Sequence, residues 1–451
     1  MSDASRDGAS GGGRSFALSK YSHAWRALRH RNFRLFVTGQ SISVVGTWMT
    51  RVAMAWLVYR LTHSAWMLGA IGFANQMPSF LLAPVAGVAI DRMDRRKLLL
   101  GTQALLMMHS LLLAALTLTH TITVPMLFVL AVWQGLVNTL DFPTRQSFTA
   151  HMVGGREDIQ NAIAIISSMM NTARLVGPSL GGLLIAATSE GWCFLVDGLS
   201  FIAVITSIAM MTPSPVETPR QRPGVVAELK EGWKYVSGSL PIRSILMLFF
   251  PICLLGWPYT VLMPVFAAQV LHGGPHTLGF LMGAIGVGAG ISAVNMALRK
   301  SVRGLVGQLP WAALLFGVSL ICFGLSHWVW LSLVLLLGAG FGLMRGNNGT
   351  NIVMQTLIDD EVRGRVMSYY TFSVEGLAPW GSLTLGALAS WIGVQHTVMV
   401  SGTVVILGAL WFRMRLGRIR EAIRPIYVRL GIRPEDAVAE AELVDEGLGG
   451  V

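Results

Sequence analysis

Apolar runs that are long enough to cross a membrane recur twelve times along the chain, and short polar gaps separate most of them. A helix that spans a bilayer needs about 20 mainly apolar residues. Gly, Pro or His residues in most gaps predict tight turns between consecutive helices. The pattern therefore predicts an all-α polytopic membrane protein. Its twelve transmembrane helices are expected at residues 33–58, 66–90, 98–119, 124–146, 159–187, 192–212, 244–270, 277–298, 305–325, 328–352, 366–391 and 395–414.

The distribution of Lys and Arg over the gaps sets the predicted orientation. Nearly all Lys and Arg residues between the apolar runs occur in every second gap, and the intervening gaps contain only Arg60. Because cytoplasmic loops keep Lys and Arg, both termini are expected in the cytoplasm. Only 13% of the residues are charged, whereas a soluble protein has about 25%. The formal charge of +11 is therefore interpreted as a topology signal beside the lipid bilayer, and no nucleic acid partner is expected.

Weak internal similarity indicates two pseudo-symmetric halves of six helices. The region around Pro178 in the fifth run aligns with the region around Pro379 in the eleventh. This alignment places Arg174 opposite Glu375. Parallel repeats of this kind are found in one large class of transporter folds. The expected organisation is a partly disordered cytoplasmic leader, an N-terminal half, a cytoplasmic linker, a C-terminal half and a cytoplasmic tail, at residues 1–32, 33–212, 213–243, 244–414 and 415–451.

The sequence contains no motif that indicates an enzyme. The glycines Gly286, Gly288 and Gly290 lie inside an apolar run, where they are typical of a helix-packing seam and not of a nucleotide-binding loop. The three cysteines also lie in apolar runs, as small core residues do. We therefore expect no enzymatic activity, no cofactor and no metal site.

A charged motif follows the second apolar run and reads Gly87-Val-Ala-Ile-Asp91-Arg92-Met-Asp94-Arg95-Arg96-Lys97. It resembles the signature loop between the second and third spans of the major facilitator superfamily, usually written G-x-x-x-D-R-x-G-R-R/K. Asp94 stands where that pattern has its second glycine. The resemblance implies that Asp91 pairs with a basic residue of the same half and stabilises one access state. The expected gating residues are Gly87, Asp91, Arg92, Arg95 and Arg96.

A second motif, Gly177-Pro178-Ser-Leu-Gly181-Gly182, lies in the fifth run. Glycines four residues apart let two helix backbones approach closely, and a proline opens the helical hydrogen bonding. The motif resembles the Gly-Pro-x-x-Gly-Gly core that is typical of exporters in the same superfamily. Ala173, four residues before Gly177, leaves the longer glycine pattern of that motif incomplete. The alternative interpretation is ordinary packing of small residues.

A wider resemblance covers residues 30–415. It rests on segments such as Arg31-Asn-Phe-Arg34-Leu-Phe, Asp141-Phe-Pro143-Thr-Arg145-Gln and Arg363-Gly-Arg365-Val-Met-Ser368. These segments are similar to the branch of the major facilitator superfamily that includes enterobactin-type siderophore exporters and macrolide efflux proteins. The resemblance implies the major facilitator fold and export of a small organic molecule by proton antiport. It also implies a place in a bacterial inner membrane, and we expect a functional monomer.

Polar residues recur at helical spacing within five of the runs and predict a central aqueous cavity. In the first run, Gln40, Ser43, Thr47 and Arg51 fall at offsets 0, 3, 7 and 11, which share one helical face. Similar stripes occur in the fourth, fifth, tenth and eleventh runs. The expected cavity lining is Gln40, Thr47, Trp48, Arg51, Asn138, Asn171, Trp257, Arg345 and Asn348.

Ionisable residues within spans are costly and usually serve a function. Glu375 is the first choice for a proton carrier, because no basic residue lies within several positions of it. The alternative is a structural ion pair of Glu375 with Arg174 or Arg345. Asp197 is interpreted as a capping or pairing residue. The expected proton-coupling and charge-relay residues are Glu375, Asp141, Arg174 and Arg145, although Asp141 is also interpreted as a salt-bridge partner in the gating network.

Three arginines within spans bear on the kind of cargo. Arg51, Arg174 and Arg345 would attract an anionic molecule, such as a catecholate siderophore or another acidic metabolite. The alternative is that they only balance the acidic residues within the spans.

Other functions remain open from the sequence. The same fold also serves importers and lipid flippases, and a membrane sensor that transports nothing is a further alternative. The polar stripes favour transport, because a sensor does not need charged residues inside its spans.

Overall fold

The structure is a computed structural model that describes residues 26–153, 156–211, 225–299, 301–359 and 361–431. Within these ranges the chain is helical and contains no β-strand. The expected leader and acidic tail lie largely outside the described residues, as does the first part of the expected linker.

Six long helices form the N-terminal half, after a short 3-10 turn at Arg26–Arg29. Short connections join them, so consecutive helices run antiparallel. We call the side of the bundle where α1 begins the terminal face and the other side the opposite face. The helices are α1 at Arg31–Thr62, α2 at Ala65–Arg92, α3 at Arg95–Leu118, α4 at Val124–Met152, α5 at Arg156–Ala187 and α6 at Glu190–Ala209.

An amphipathic connecting helix, α7 at Val225–Gly238, precedes the six helices of the C-terminal half. Several of these six helices are longer than the predicted spans, because a transmembrane helix continues past the apolar core of the membrane. The helices are α8 at Leu240–Val270, α9 at Pro275–Ala297, α10 at Leu305–Leu325, α11 at Val329–Leu357, α12 in the segments Arg363–Thr371, Phe372–Gly376 and Ala378–Ile392, and α13 at Val394–Arg429.

Nine helices in the described part of the chain are long and apolar enough to cross a membrane. The three predicted spans outside this set are α2, α5 and α12. These are helices that pack against the other half of the protein. The π-helical stretch divides α12 into shorter segments, several side chains of α2 lie outside the described part of the structure, and α5 carries Asn171, Thr172 and Arg174 in its middle. The prediction of an all-α polytopic membrane protein is confirmed.

Proline shapes the fifth helix of each half. A proline has no N–H to donate to the carbonyl four residues earlier. Pro178 therefore leaves the carbonyl of Arg174 without its helical partner, and Pro379 does the same for the carbonyl of Glu375. Around Glu375 the chain forms a π-helical segment, Phe372–Gly376. Such segments are frequent at functional sites in helices.

The two halves meet through two helix pairs, α5 with α9 and α2 with α12. Glycines allow the backbones to approach closely in both pairs. A Cβ on Gly182 would lie 2.8 Å from the Cα of Gly279, and a Cβ on Gly69 would lie 2.9 Å from the Cα of Gly386. All four glycines lie near the helix ends at the opposite face. The halves are therefore closely packed at that face.

Adding a methyl group to one of these glycines should separate the halves. In Gly279→Ala, the new Cβ would lie 2.6 Å from the carbonyl oxygen of Pro178, and backbone cannot move aside cheaply. We expect a lower melting temperature and a shift toward a conformation that is open at the opposite face. Gly290→Ala is the matched control on the same helix, because its Cβ meets none of the described atoms within 4 Å. Cysteine labelling from the opposite face measures the shift, and equal labelling of both variants would contradict the expectation.

In each half, an aspartate near the start of the fifth helix binds an amphipathic segment. In the N-terminal half, Asp158 accepts from Arg26 at 2.6 Å and lies 2.9 Å from Nε2 of His30. The hydrogen bond to His30 lowers the pKa of the Asp158 carboxyl, and partial desolvation opposes it. In the C-terminal half, Asp359 accepts from the Tyr235 hydroxyl of α7 at 3.0 Å and from Arg429 at 2.7 Å. We call these two arrangements the aspartate clasps.

Candidate functional site

Two arginines and a tryptophan meet in the middle of the N-terminal half. The Cζ atom of Arg51 lies 4.5 Å from the ring centroid of Trp48, and the Cζ atom of Arg174 lies 5.3 Å from it. Both distances fit cation–π contacts. Trp48 and Arg51 belong to α1, whereas Arg174 belongs to α5. We call these three residues the arginine–tryptophan cluster.

The arginine–tryptophan cluster has no acidic partner among the described residues. The ion pairs there involve other side chains. The Nε atom of Arg174 is buried without a hydrogen-bond partner among the described residues. Arg51 keeps an exposed side chain although it lies well inside α1. Two positive charges therefore lie against one ring, and no negative charge in the described ranges balances them.

Glycines of the fifth-span motif create room for this cluster. A Cβ on Gly177 would lie 2.5 Å from the Cβ of Trp48, and a Cβ on Gly181 would lie 3.0 Å from the Cα of Met49. Gly182, on another side of α5, contacts α9 instead. Pro178 is buried between these contacts. The motif thus lets α5 pack closely against α1 and α9 at the same height.

Glu375 lies in the π-helical segment of α12 with an exposed side chain. No hydrogen bond or ion pair involves its carboxylate in the described part of the chain. The suggested ion pair with Arg174 or Arg345 is therefore not present in this conformation. Nearby, Phe372 and Trp380 pack against Phe80 of α2. Glu375 thus lies one turn from the contact between the two halves.

Asp141 and Arg145 of α4 form an ion pair with each other. The Asp141 carboxylate is fully buried and also accepts from Thr102 at 2.8 Å and from Gln103 at 2.6 Å. Both partners belong to α3. The pair therefore joins α4 to α3, and its two charges balance each other.

Arg345 is held inside the C-terminal half. It donates to the side chain of Asn295 on α9, and to Oε1 of Gln308 on α10 at 2.5 Å. Arg299 donates to the same Gln308 oxygen at 3.0 Å. Arg345 is therefore bound to neutral amides and does not join the arginine–tryptophan cluster.

One residue expected to line the cavity lies elsewhere. Gln40 is only 3% exposed and is packed in the interior. Thr47 is partly exposed, and its hydroxyl donates to the carbonyl of Ser43 at 3.1 Å and lies 3.4 Å from Oδ1 of Asp197 on α6. Gly39 and Gly46 allow α6 to approach this side of α1 closely. Part of the polar stripe on α1 therefore faces α6, and the rest faces the cavity. The other expected lining residues, Asn138, Asn171, Trp257 and Asn348, keep partly exposed side chains.

The expected gating loop is described only in part. The side chain of Asp91 lies outside the described residues, so its predicted partner stays a prediction. Arg96 donates to the carbonyls of Ile208 and Ala209 at the end of α6. Asp94, which replaces a glycine of the family pattern, caps α3 by accepting from the N–H groups of Arg96 and Lys97. This cap is the physical reason that an aspartate suits the position. Gly87 has open space around it, Arg92 is exposed and Arg95 is partly exposed.

A buried carboxylate that the sequence analysis had not assigned to coupling is Asp197 of α6. It accepts from the hydroxyls of Thr50 on α1 and Ser110 on α3, each at 2.9 Å. No cation pairs with it in the described ranges, so the expected pairing role does not appear. The hint in the sequence was the spacing of Thr47 and Thr50, which puts two hydroxyls on one helical face.

Comparison with known proteins identifies the relatives of this chain. A model of the family described as "Transmembrane secretion effector" matches residues 22–428. The chain is 24% identical over 386 residues to the staphyloferrin A transporter of Staphylococcus aureus, covering 84% of this chain and 95% of that protein. It is 26% identical over 402 residues to the enterobactin exporter EntS of Citrobacter koseri, covering 88% and 94%.

Solved structures share the fold at low sequence identity. A bacterial homologue of the iron transporter ferroportin, in an inward-facing state, has a TM-score of 0.65 at 17% identity and covers 85% of this chain and 98% of its own. A POT family transporter in complex with 5-aminolevulinic acid has a TM-score of 0.69 at 12% identity, with 86% and 96% covered. The predicted major facilitator fold is confirmed. The chain belongs to the transmembrane secretion effector family of major facilitator transporters, and it is an integral membrane transporter of a small molecule.

Proposed function

We propose that this protein exports a small organic anion from the bacterial cytoplasm by proton antiport. The observation that carries the proposal is the arginine–tryptophan cluster, in which Arg51 and Arg174 flank Trp48 without an acidic partner in the described part of the chain. An unbalanced charge at the middle of a membrane protein is costly, by roughly 2.5–3.5 kcal/mol or more for each arginine. A bound anion would offset that cost.

The chemistry of the cluster fits an acidic and partly flat cargo. The guanidinium groups of Arg51 and Arg174 can each donate two parallel hydrogen bonds to a carboxylate or catecholate. The Trp48 ring offers a flat apolar surface beside them. Siderophores are the cargo named for the two relatives, and an acidic siderophore or a related metabolite is the cargo that we propose here.

Export requires that the site opens to the two sides in turn. The close glycine contacts between halves lie at the opposite face, which suits a state that takes cargo from the cytoplasm. The halves would then rock about the central site. In this scheme Glu375 carries the proton, Arg174 tunes its charge, and Asp91 stabilises one of the two states. We place the protein in the inner membrane as a monomer, with both termini in the cytoplasm.

A comparison of a deletion strain with its parent would test the proposal. Culture medium and cell extract from iron-poor growth are analysed by mass spectrometry, without choosing a compound in advance. We expect an acidic compound to disappear from the medium and to accumulate in the cells. Loss of the compound from cells but not from medium would indicate an importer. A change confined to membrane lipids would indicate a flippase, and either result would overturn the proposal.

A further inference from the structure

The carboxylate of Asp197 is buried without an ion-pair partner in the described part of the chain, whereas Glu375, which also has no such partner, is exposed. Asp141, Asp158, Asp359 and Glu190 each pair with an arginine. Asp197 is 2% exposed and is surrounded by hydroxyl groups. A buried charge without a counter-ion is unstable, and such a carboxylate readily takes up a proton.

Three helices supply the hydroxyls and the carboxylate. Oδ2 of Asp197 accepts from Thr50 and from Ser110, each at 2.9 Å, and Oδ1 lies 3.4 Å from the hydroxyl of Thr47. The carboxylate therefore links α6 to α1 and to α3. A Cβ on Gly46 would lie 2.9 Å from Oδ1, so the absence of a side chain at Gly46 allows this contact.

The link reaches α1 at the residues that flank the arginine–tryptophan cluster. Thr47 precedes Trp48 directly, and Thr50 precedes Arg51 directly. Any change in the hydrogen bonds of Asp197 therefore acts on the turn of α1 that carries two of the three cluster residues. We propose that Asp197 is a second proton-binding residue, and that its protonation state positions Trp48 and Arg51 for cargo binding.

The direction of the effect follows from the hydrogen bonds. At Oδ2 an ionised carboxylate accepts from the hydroxyls of Thr50 and Ser110, whereas the Thr47 hydroxyl donates to the carbonyl of Ser43 at 3.1 Å and lies 3.4 Å from Oδ1. A proton on Oδ2 requires one of the two donors to turn round or lose its bond, and a proton on Oδ1 is donated to the Thr47 oxygen, which draws that contact below 3.4 Å. Either change alters the hydrogen bonds that join α6 to its neighbours. Cargo would bind while Asp197 is ionised and leave once a proton has bound. The proton then returns to the cytoplasmic side with the empty protein, and only O–H bonds form and break. This scheme is the one that antiport requires, so the inference rests on the proposed function.

Other titratable groups face Asp197 from each helix. Glu190 and Cys193 lie on the same face of α6, two turns and one turn nearer the opposite face. Arg60 of α1 pairs with Glu190 at 2.8 Å. On α3, His109 is buried beside Ser110. Arg51 is the nearest charged residue along α1. Because Glu190 already has its counter-ion, Asp197 is the carboxylate of this group that is free to change its charge.

The occupant that we infer is a proton and not a sodium ion. Carboxylate and hydroxyl oxygens are also typical ligands of hard cations. Here, however, the hydroxyls of Thr50 and Ser110 are in direct hydrogen-bond contact with the carboxylate, which leaves no space for an ion between them. Transport that depends on sodium and not on a proton gradient would overturn the inference.

Asp197→Asn tests the inference in the purified full-length protein, because the amide keeps the shape but cannot take up a proton. Iron-free enterobactin and staphyloferrin A serve as probes. We expect both proton release on probe binding and export driven by a pH gradient to fall. Apparent affinity in wild type should change by roughly 5- to 150-fold with pH, as for a typical coupling between two sites, and this pH dependence should disappear in the variant. Because Asn resembles the protonated carboxyl, the variant should bind the probe with the affinity of wild type at low pH. Exchange of labelled for unlabelled probe, which needs no net proton movement, should persist at saturating probe concentration.

A second pair of variants covers the case in which Asp197→Asn does not fold. Thr50→Val removes one donor to the ionised form and should move the midpoint of the transport pH profile to higher pH. Thr117→Val is the matched control, since Thr117 is an equally buried threonine (3% exposed) whose hydroxyl has no partner in the described part of the chain. An unchanged profile in Thr50→Val, or full gradient-driven export by Asp197→Asn, would overturn the inference. If wild-type protein itself couples no protons to either probe, the antiport proposal is the one that fails.

Discussion

Arg174→Gln should raise the KM for an acidic cargo by roughly 10- to 150-fold, because a hydrogen bond to a charged group contributes about 1.5–3 kcal/mol. Glutamine keeps the polarity of the side chain but is shorter and carries no charge. We expect Arg51→Gln to have an effect of similar size, since both guanidinium groups flank Trp48. Arg51→Lys should rescue only part of the loss, because lysine keeps the charge but cannot form two parallel hydrogen bonds. Initial rates of probe uptake into inverted vesicles measure these constants.

A matched control separates cargo binding from a general effect of charge. Arg34 lies on the terminal-face end of α1, is exposed, and has the same charge as Arg51 on the same helix. Arg34→Gln should leave KM unchanged. If instead the two central arginines only balance charge, their replacement would lower the yield of folded protein and leave the KM of the remainder as in wild type. That result would remove the main support for an anionic cargo.

Glu375→Gln should abolish accumulation of cargo against its gradient while expression and probe exchange persist. The carboxylate of Glu375 has no partner in the described structure and lies where the π-helical segment meets the contact between halves. A glutamine cannot release a proton, so cargo movement would no longer be tied to proton movement. We expect the stimulation of export by a pH gradient to fall by roughly 5- to 150-fold, the range of a typical coupling.

Glu361→Gln is the control for this variant, because Glu361 is an exposed acid just before α12. It should transport like wild type. Full gradient-driven export by Glu375→Gln would exclude Glu375 as the proton carrier. Together with the Asp197 variants, the measurement would show whether one carboxylate or two are needed for coupling.

The positions of the helices were predictable because a bilayer imposes a simple rule on length and polarity. This rule does not say which neighbour a polar side chain meets. Thr47 and Arg51 share a face in the sequence pattern, yet the Thr47 hydroxyl lies 3.4 Å from Asp197 of α6 whereas Arg51 remains accessible.

The candidate site was predictable only in part for the same reason. The sequence singled out Arg51, Arg174 and Trp48 as separate residues, but their meeting around one ring depends on how closely α5 approaches α1. Gly177 permits that approach. The role of Asp197 was harder to see, because three hydroxyls from two helices have no sequence motif. Internal similarity aligned Arg174 of the N-terminal half with Glu375 of the C-terminal half. The two residues occupy equivalent positions of the repeat, and in the described structure they form no ion pair with each other.

The aspartate clasp of the C-terminal half attaches the connecting helix α7 to that half. Tyr235 and Gly232 of α7 contact Asp359 and the start of α12, and Arg429 at the end of α13 binds the same aspartate. The connecting helix therefore moves together with the C-terminal half during any rocking motion. The covalent tether between the halves is then only the stretch between Met211 and Val225. Two polypeptides divided within that stretch should be able to reassemble when produced together, as a transporter made from two separately encoded chains.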